Sequence, residues 1–133
     1  MDLTSMLEQD LEKNEFTLRA LLHLWFDNLP YPAWIKEYNP LLGKFKMAHT
    51  NPAYEVVTGI ARIDYVNNND TSVWPEEVAS AYEVNDNEVI TNKRGAIYDE
   101  IVPPFHFYGP KWPIYKGNAI VAVAGMMKDL NGK

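Results

Sequence analysis

Apolar positions along this chain follow two periods, and the change between them marks out the elements. Over residues 4–27, Leu7, Leu11, Asn14, Leu18, Leu21 and Trp25 recur at alternating steps of four and three, the spacing of one helical seam. Leu3, Met6, Leu22 and Leu24 widen the apolar surface, and neither glycine nor proline occurs before Pro30. Asp2 and Glu8 lie toward the N-terminal end, where negative charge suits the helix dipole. Such a helix can pack on its own domain or pair with its copy. A polar Asn14 inside the seam is the more natural in a pairing helix, where it meets its twin and sets register.

Beyond Pro30 the period shortens to two. Residues 32–38 carry Trp34, Ile35 and Tyr38 and read as a strand, with Asn39-Pro40 and Gly43 marking the turn. Phe45, Met47 and His49 alternate with Lys44, Lys46 and Ala48, which predicts a half-buried strand with the first three facing in. Asn51-Pro52 opens a short helix over 52–58: Asn caps it, Pro suits its first position, and Gly59 ends it. The polar run Asn67 to Asp70 implies turns and irregular helices over 61–71.

A second long helix is predicted over 74–92. Pro75 and the acidic pair Glu76 and Glu77 suit its start, while Val78, Ala81, Tyr82, Asn85 and Val89 recur at helical spacing. Lys93 and Arg94 fit its last turn, with Gly95 just past the end. Strands over 96–102, 105–115 and 119–128 follow, the last two joined by a turn at Lys116-Gly117-Asn118. Pro103-Pro104 predicts an extended link, and Pro110 and Pro113 predict a middle strand that is partly unpaired or bulged.

The 133 residues suit one domain that buries roughly two-thirds of its unfolded surface. Cysteine is absent, which excludes disulfides, thiolate metal sites, Cys nucleophiles and cysteinyl-flavin photochemistry. A net charge of −6 disfavours nucleic acid as a partner. No apolar run approaches the roughly 18 residues of a membrane span, and the N-terminus has no basic n-region, so a cytoplasmic setting is expected. The 4 Trp, 8 Tyr and 5 Phe fit an aromatic core or an apolar ligand cavity.

Three stretches carry a family resemblance. The short helix reads Asn51, Ala53, Tyr54, Glu55, Thr58, Gly59; the long one reads Trp74-Pro75-Glu76-Glu77, Ala79, then Asp86, Val89-Ile90. The closing hairpin reads Trp112-Pro113-Ile114-Tyr115, Gly117-Asn118, Ile120-Val121, Val123, Gly125, then Asp129-Leu130, with Asn131 where the family has Thr. In this order and spacing, residues 29–130 resemble a PAS sensor domain.

The resemblance implies an α/β (α+β) fold: a five-stranded antiparallel sheet in the order 2-1-5-4-3 with helices on one face. Residues 1–28 would be a leader helix and dimerisation candidate, and residues 29–133 the PAS-like domain. The implied function is a non-catalytic sensory and signalling module. It would bind a small apolar or aromatic molecule, mediate protein–protein interaction as a homodimer, or both, and pass its signal in trans, since no output module fits the remaining residues.

Residue phase and aromatic type nominate Trp34, Met47, Tyr54, Tyr82, Tyr98, Phe107 and Val121 as cavity-lining residues between the long helix and the sheet. His49 is either a core histidine or a polar contact at the cavity mouth. His106, alternating with Phe105 and Phe107, is expected to face solvent. Haem-binding PAS domains supply an axial His near the long helix. None lies between Ser72 and Arg94 here, so haem is not expected, and a flavin held without Cys chemistry stays open. His23, His49 and His106 form no metal-ligand spacing.

Catalysis lacks a signature. Asp99 and Glu100 fall on opposite faces of a strand, and no nucleophile elbow or phosphate loop occurs. Two rivals remain: a ligand-free dimerisation module, and a small enzyme on a cone-shaped α+β fold of the nuclear-transport-factor type. The prolines over 103–113 and the helix over 52–58 between strands speak against the enzyme.

Overall fold

The computed structural model describes residues 24–132. Its frame is an antiparallel sheet of β1 (Ala33–Asn39), β2 (Lys44–Thr50), β3 (Ala96–Val102), β4 (Phe105–Lys116), β5 (Ala119–Met126) and the two-residue β6 (Lys128–Asp129). The spatial order is β2-β1-β5-β4-β3, as expected, with β6 as a sixth strand beside β4. Between β2 and β3 the chain forms α1 (Pro52–Thr58), α2 (Arg62–Tyr65) and α3 (Glu76–Asn92), which pack over one face. 3-10 turns occupy Phe26–Asn28 and Asp70–Ser72. The leader-helix seam from Leu7 to Leu21 lies outside the described residues; Trp25 is inside them and 69% exposed.

Local chemistry accounts for the junctions. Asn39 Oδ1 accepts from the Leu41 and Leu42 amides, and Gly43 takes φ +63°, closing the β1–β2 turn. Asn51 Oδ1 caps α1 at the Tyr54 amide (3.1 Å) and also accepts from Ala33 N (2.9 Å). Its Nδ2 donates to the Tyr31 carbonyl (2.9 Å), so this one buried amide ties the start of β1 to the end of β2. Gly59 ends α1 at φ +76°.

The structure corrects several sequence expectations. The buried stripe of α3 is Ala79, Tyr82, Asp86 and Val89, not the expected set with Ala81 and Asn85. Lys93, rather than Gly95, takes the left-handed position at the α3 C-terminus. Pro103 and Pro104, joined by a cis peptide, form a tight turn between the paired Val102 and Phe105, in place of an extended link. The expectation for β4 holds: the strand runs unbroken but is unpaired on one side at each proline, Pro110 facing only β3 and Pro113 only β5. The missing N–H groups therefore remove no ladder bond from a doubly paired position.

Two bulges redirect side chains. Between β1 and β2 the register steps from Ile35 opposite His49 to Lys36 opposite Met47, leaving Ala48 as the extra residue. His49 therefore leaves the face of Met47 and pairs with outward-facing Ile35. Between β4 and β5 the register steps from Ile114 opposite Ala122 to Tyr115 opposite Ile120, leaving Val121 as the extra residue.

The predicted strand over 119–128 ends early at Met126. The chain then crosses β4 above Gly109, so that Lys128 and Asp129 pair with Tyr108 and Phe107. An added Cβ at Gly109 would lie 2.1 Å from the Met126 carbonyl oxygen and 3.0 Å from Met127 Cα. Gly109→Ala is expected to lower stability by about 1–3 kcal/mol in urea unfolding, because backbone has to yield. Gly117→Ala, with open space but φ +63°, is expected to lose about 1 kcal/mol.

Candidate ligand cavity

The inward faces of four strands and the buried stripe of α3 meet around a central cavity. Trp34 and Lys36 enter from β1, Met47 from β2, Glu100 from β3, and Phe107 and Lys111 from β4. Tyr54 of α1, Tyr65 of α2 and Tyr82 of α3 close the helical side. The volume is about 20 Å³, room for about one water-sized molecule.

Five charged groups meet beside it. Asp86 of α3 is fully buried; its Oδ2 accepts from Lys36 Nζ at 2.8 Å and its Oδ1 from Lys111 Nζ at 2.9 Å. Lys36 reaches Asp70 at 2.9 Å, and Lys111 pairs with Glu100 at 2.7 Å. Asn85 donates to Glu100 Oε2 at 2.8 Å, and the Tyr65 hydroxyl donates to Asp70 Oδ1. Aromatic faces shield both ammonium groups: Lys36 lies 5.3 Å from the Tyr82 centroid, and Lys111 lies 5.4 Å from Tyr82, 5.6 Å from Tyr98 and 5.9 Å from Trp34.

The electrostatics follow from burial and pairing. Burial alone would raise the Asp86 pKa, but Lys36 and then Lys111 outweigh it and hold the carboxyl below its ordinary value. Burial alone would lower Lys36, but Asp86 and Asp70 outweigh it and raise its pKa. Burial pushes Tyr54, Tyr65 and Tyr82 upward, so they remain neutral hydroxyls. Tyr98 is pushed up to about 12, by burial first and then by its bond to Glu88.

Of the residues nominated from sequence, Trp34, Met47, Tyr54, Tyr82 and Phe107 border the cavity. Tyr98 is buried on the same face but stands behind Lys111, its hydroxyl donating to Glu88 at 3.0 Å. Val121 is a correction: as the extra residue of its bulge it is 37% exposed and away from the cavity. His49 is a second correction. The Ala48 bulge turns it to the outer face, where its ring packs 5.4 Å from Phe26 and its Nε2 lies 2.7 Å from Asp27 Oδ1. His106 is half-exposed and bonded to Asp99 at 2.5 Å. Asp99 and Glu100 do face opposite ways, one exposed and one buried.

Sequence reasoning missed the ionic cluster, although its phase was available. Lys36 falls two residues after Trp34, Glu100 two after Tyr98, and Lys111 four after Phe107, each in step with a buried aromatic of its own strand. Asp86 falls between Tyr82 and Val89 on one helix stripe. Among the described residues no cluster of three metal-ligating side chains occurs, and no helix is long and apolar enough to cross a membrane.

No family model and no curated protein matches this sequence. Solved structures do match in fold. A PAS domain from Colwellia psychrerythraea aligns at TM-score 0.65 and 12% identity, over 86% of this chain and 98% of that one. A phage VqmA–DPO complex aligns at TM-score 0.65 and 18% identity, over 85% of this chain and 52% of that one. An RNA-binding light-oxygen-voltage receptor aligns at TM-score 0.59 and 14% identity, over 86% of this chain and 33% of that one. The chain thus spans nearly all of the first, about half of the second and a third of the last. With the strand order and helix placement above, these likenesses show that the domain has the PAS fold.

The pKa directions set a stability window. Asp86, depressed in the fold, contributes stability present above the ordinary Asp value near 4 and lost as pH falls through its lower folded value. Lys36, raised in the fold, contributes stability present below the ordinary Lys value near 10.4 and lost as pH rises through its higher folded value. Asp86→Asn is expected to cost about 3–5 kcal/mol in urea unfolding near pH 7. The gap to wild type should narrow as pH falls below about 4, where the unfolded chain takes up the proton first, and close once pH passes the lower value at which the native carboxylate is itself protonated.

Proposed function

We propose that this chain is a non-catalytic sensory and signalling module of PAS type. It takes up a small molecule between α3 and the sheet and acts, in the cytoplasm, through a second copy of itself and a partner protein in trans. The observation that carries the reading is the small cavity at the centre of the PAS fold, lined by aromatic rings and buried charges. The likeness in fold to VqmA, solved in complex with DPO, supports a ligand-binding reading.

Pairing draws support from the outer sheet face. Ile97, Ile101, Tyr108 and Trp112 share that face and are 59%, 68%, 48% and 36% exposed. An apolar surface of this kind marks an interaction site. The leader seam of Leu7, Leu11, Asn14, Leu18, Leu21 and Trp25 is the segment proposed to pair. A ligand-free interaction module is the second reading, favoured by the cavity volume of about 20 Å³.

Native mass spectrometry of protein purified without added ligand separates these readings. A dimer carrying a discrete extra mass is the expected result. A bare dimer points to the ligand-free module, and a bare monomer removes the pairing role of the leader seam.

A further inference from the structure

One donor on the cavity wall is unsatisfied. Trp34 borders the cavity, is 7% exposed, and its buried Nε1–H has no hydrogen-bond partner. Buried polar groups are paired in the great majority of cases, so a specific orphan calls for a reason. The indole is also held in place. An added Cβ at Gly125 would lie 2.4 Å from Trp34 Cζ2, so only glycine lets the ring lie flat on β5.

Two further donors border the same space. An ammonium carries three N–H groups. Lys36 Nζ bonds Asp70 and Asp86, and Lys111 Nζ meets Asp86 and Glu100, so the third N–H of each has aromatic faces as its neighbours among the described residues and no oxygen or nitrogen acceptor. Three donors around one cavity seek an acceptor.

Charge narrows the class. Two ammonium and three carboxylate groups leave the cluster with one net negative charge, so a buried anion would add a second. A cation brings only donors to a wall of donors and approaches two ammonium groups at short range. Size narrows it again: the open space takes about one water-sized group, and Met47 is the wall best able to repack around more.

We propose that the ligand of this cavity is a compact uncharged molecule whose carbonyl oxygen or ring nitrogen accepts hydrogen bonds from Trp34 Nε1 and from Lys36 or Lys111. This rests on the ligand-sensing reading above and specifies its chemistry. The acceptor atom occupies the small polar space, and the body of the ligand displaces the Met47 side chain.

The test is a matched series of five-membered rings followed by nitrogen–proton correlation NMR of the whole chain: cyclopentanone, cyclopentane, cyclopentylammonium and cyclopentanecarboxylate. Cyclopentanone is expected to move the Trp34 indole N–H downfield in a saturable way, while the charged rings leave it in place at equal concentration. Trp34→Phe should weaken cyclopentanone binding roughly three- to tenfold, the scale of one neutral hydrogen bond. If that variant fails to fold, the wild-type indole shift alone decides. Cavity signals that respond to cyclopentane or a charged ring while the Trp34 N–H ignores cyclopentanone would overturn the acceptor class and leave the ligand-sensing reading standing. No response to any ring, together with a bare native mass spectrum, would overturn both.

Discussion

Everything about the interior depends on one carboxylate clamped between two lysines. Asp86 projects from α3 and bonds Lys36 on β1 with one oxygen and Lys111 on β4 with the other. Those strands are not neighbours, because β5 runs between them. The helix is therefore pinned across the sheet at two separated points, and its rotation and depth are set by bonds of 2.8 and 2.9 Å. Apolar packing alone would tolerate small slides of α3; charge-assisted bonds to fixed strands tolerate far less. Burying five charges is expensive, and a well-packed apolar substitute can be as stable. What the ions add is direction.

The rest of the interior accommodates that clamp. Lys36 and Lys111 need low-polarity neighbours that still favour a cation, and aromatic faces meet both demands. Trp34, Tyr82 and Tyr98 stand around Lys111 on three sides. Tyr65 and Asn85 complete the outer bonds of Asp70 and Glu100, so the cluster extends to α2 and to the exposed side of α3. Asp70 also lines an outer cleft of about 130 Å³ with Lys44 and Glu83, and is the cluster member nearest to solvent.

Much of this was legible in the chain. Asn51-Pro52 and Gly59 bound α1 as their chemistry dictates, and the strand order followed from the family resemblance. Five nominated cavity residues lie where period and aromatic type placed them. The failures have two physical sources. A bulge adds one residue and resets the phase of a strand, which turned His49 to the outer face and Val121 away from the cavity; no propensity at Ala48 or Val121 announces it. The ionic cluster was missed because charged residues are ordinarily assigned to the surface, although a charge in step with buried aromatics on three strands and a helix is itself a pattern.

The bulge at Ala48 also decides which side of the sheet each end of β2 touches. Met47 touches the cavity, whereas His49, two residues on, holds Asp27 and Phe26 of the N-terminal turn on the far side. Without the extra residue both would point the same way, and the sheet would separate its interior from the N-terminal segment like a wall. With it, β2 presents Met47 to one side and His49 to the other, and the two contacts lie two peptide units apart along the strand.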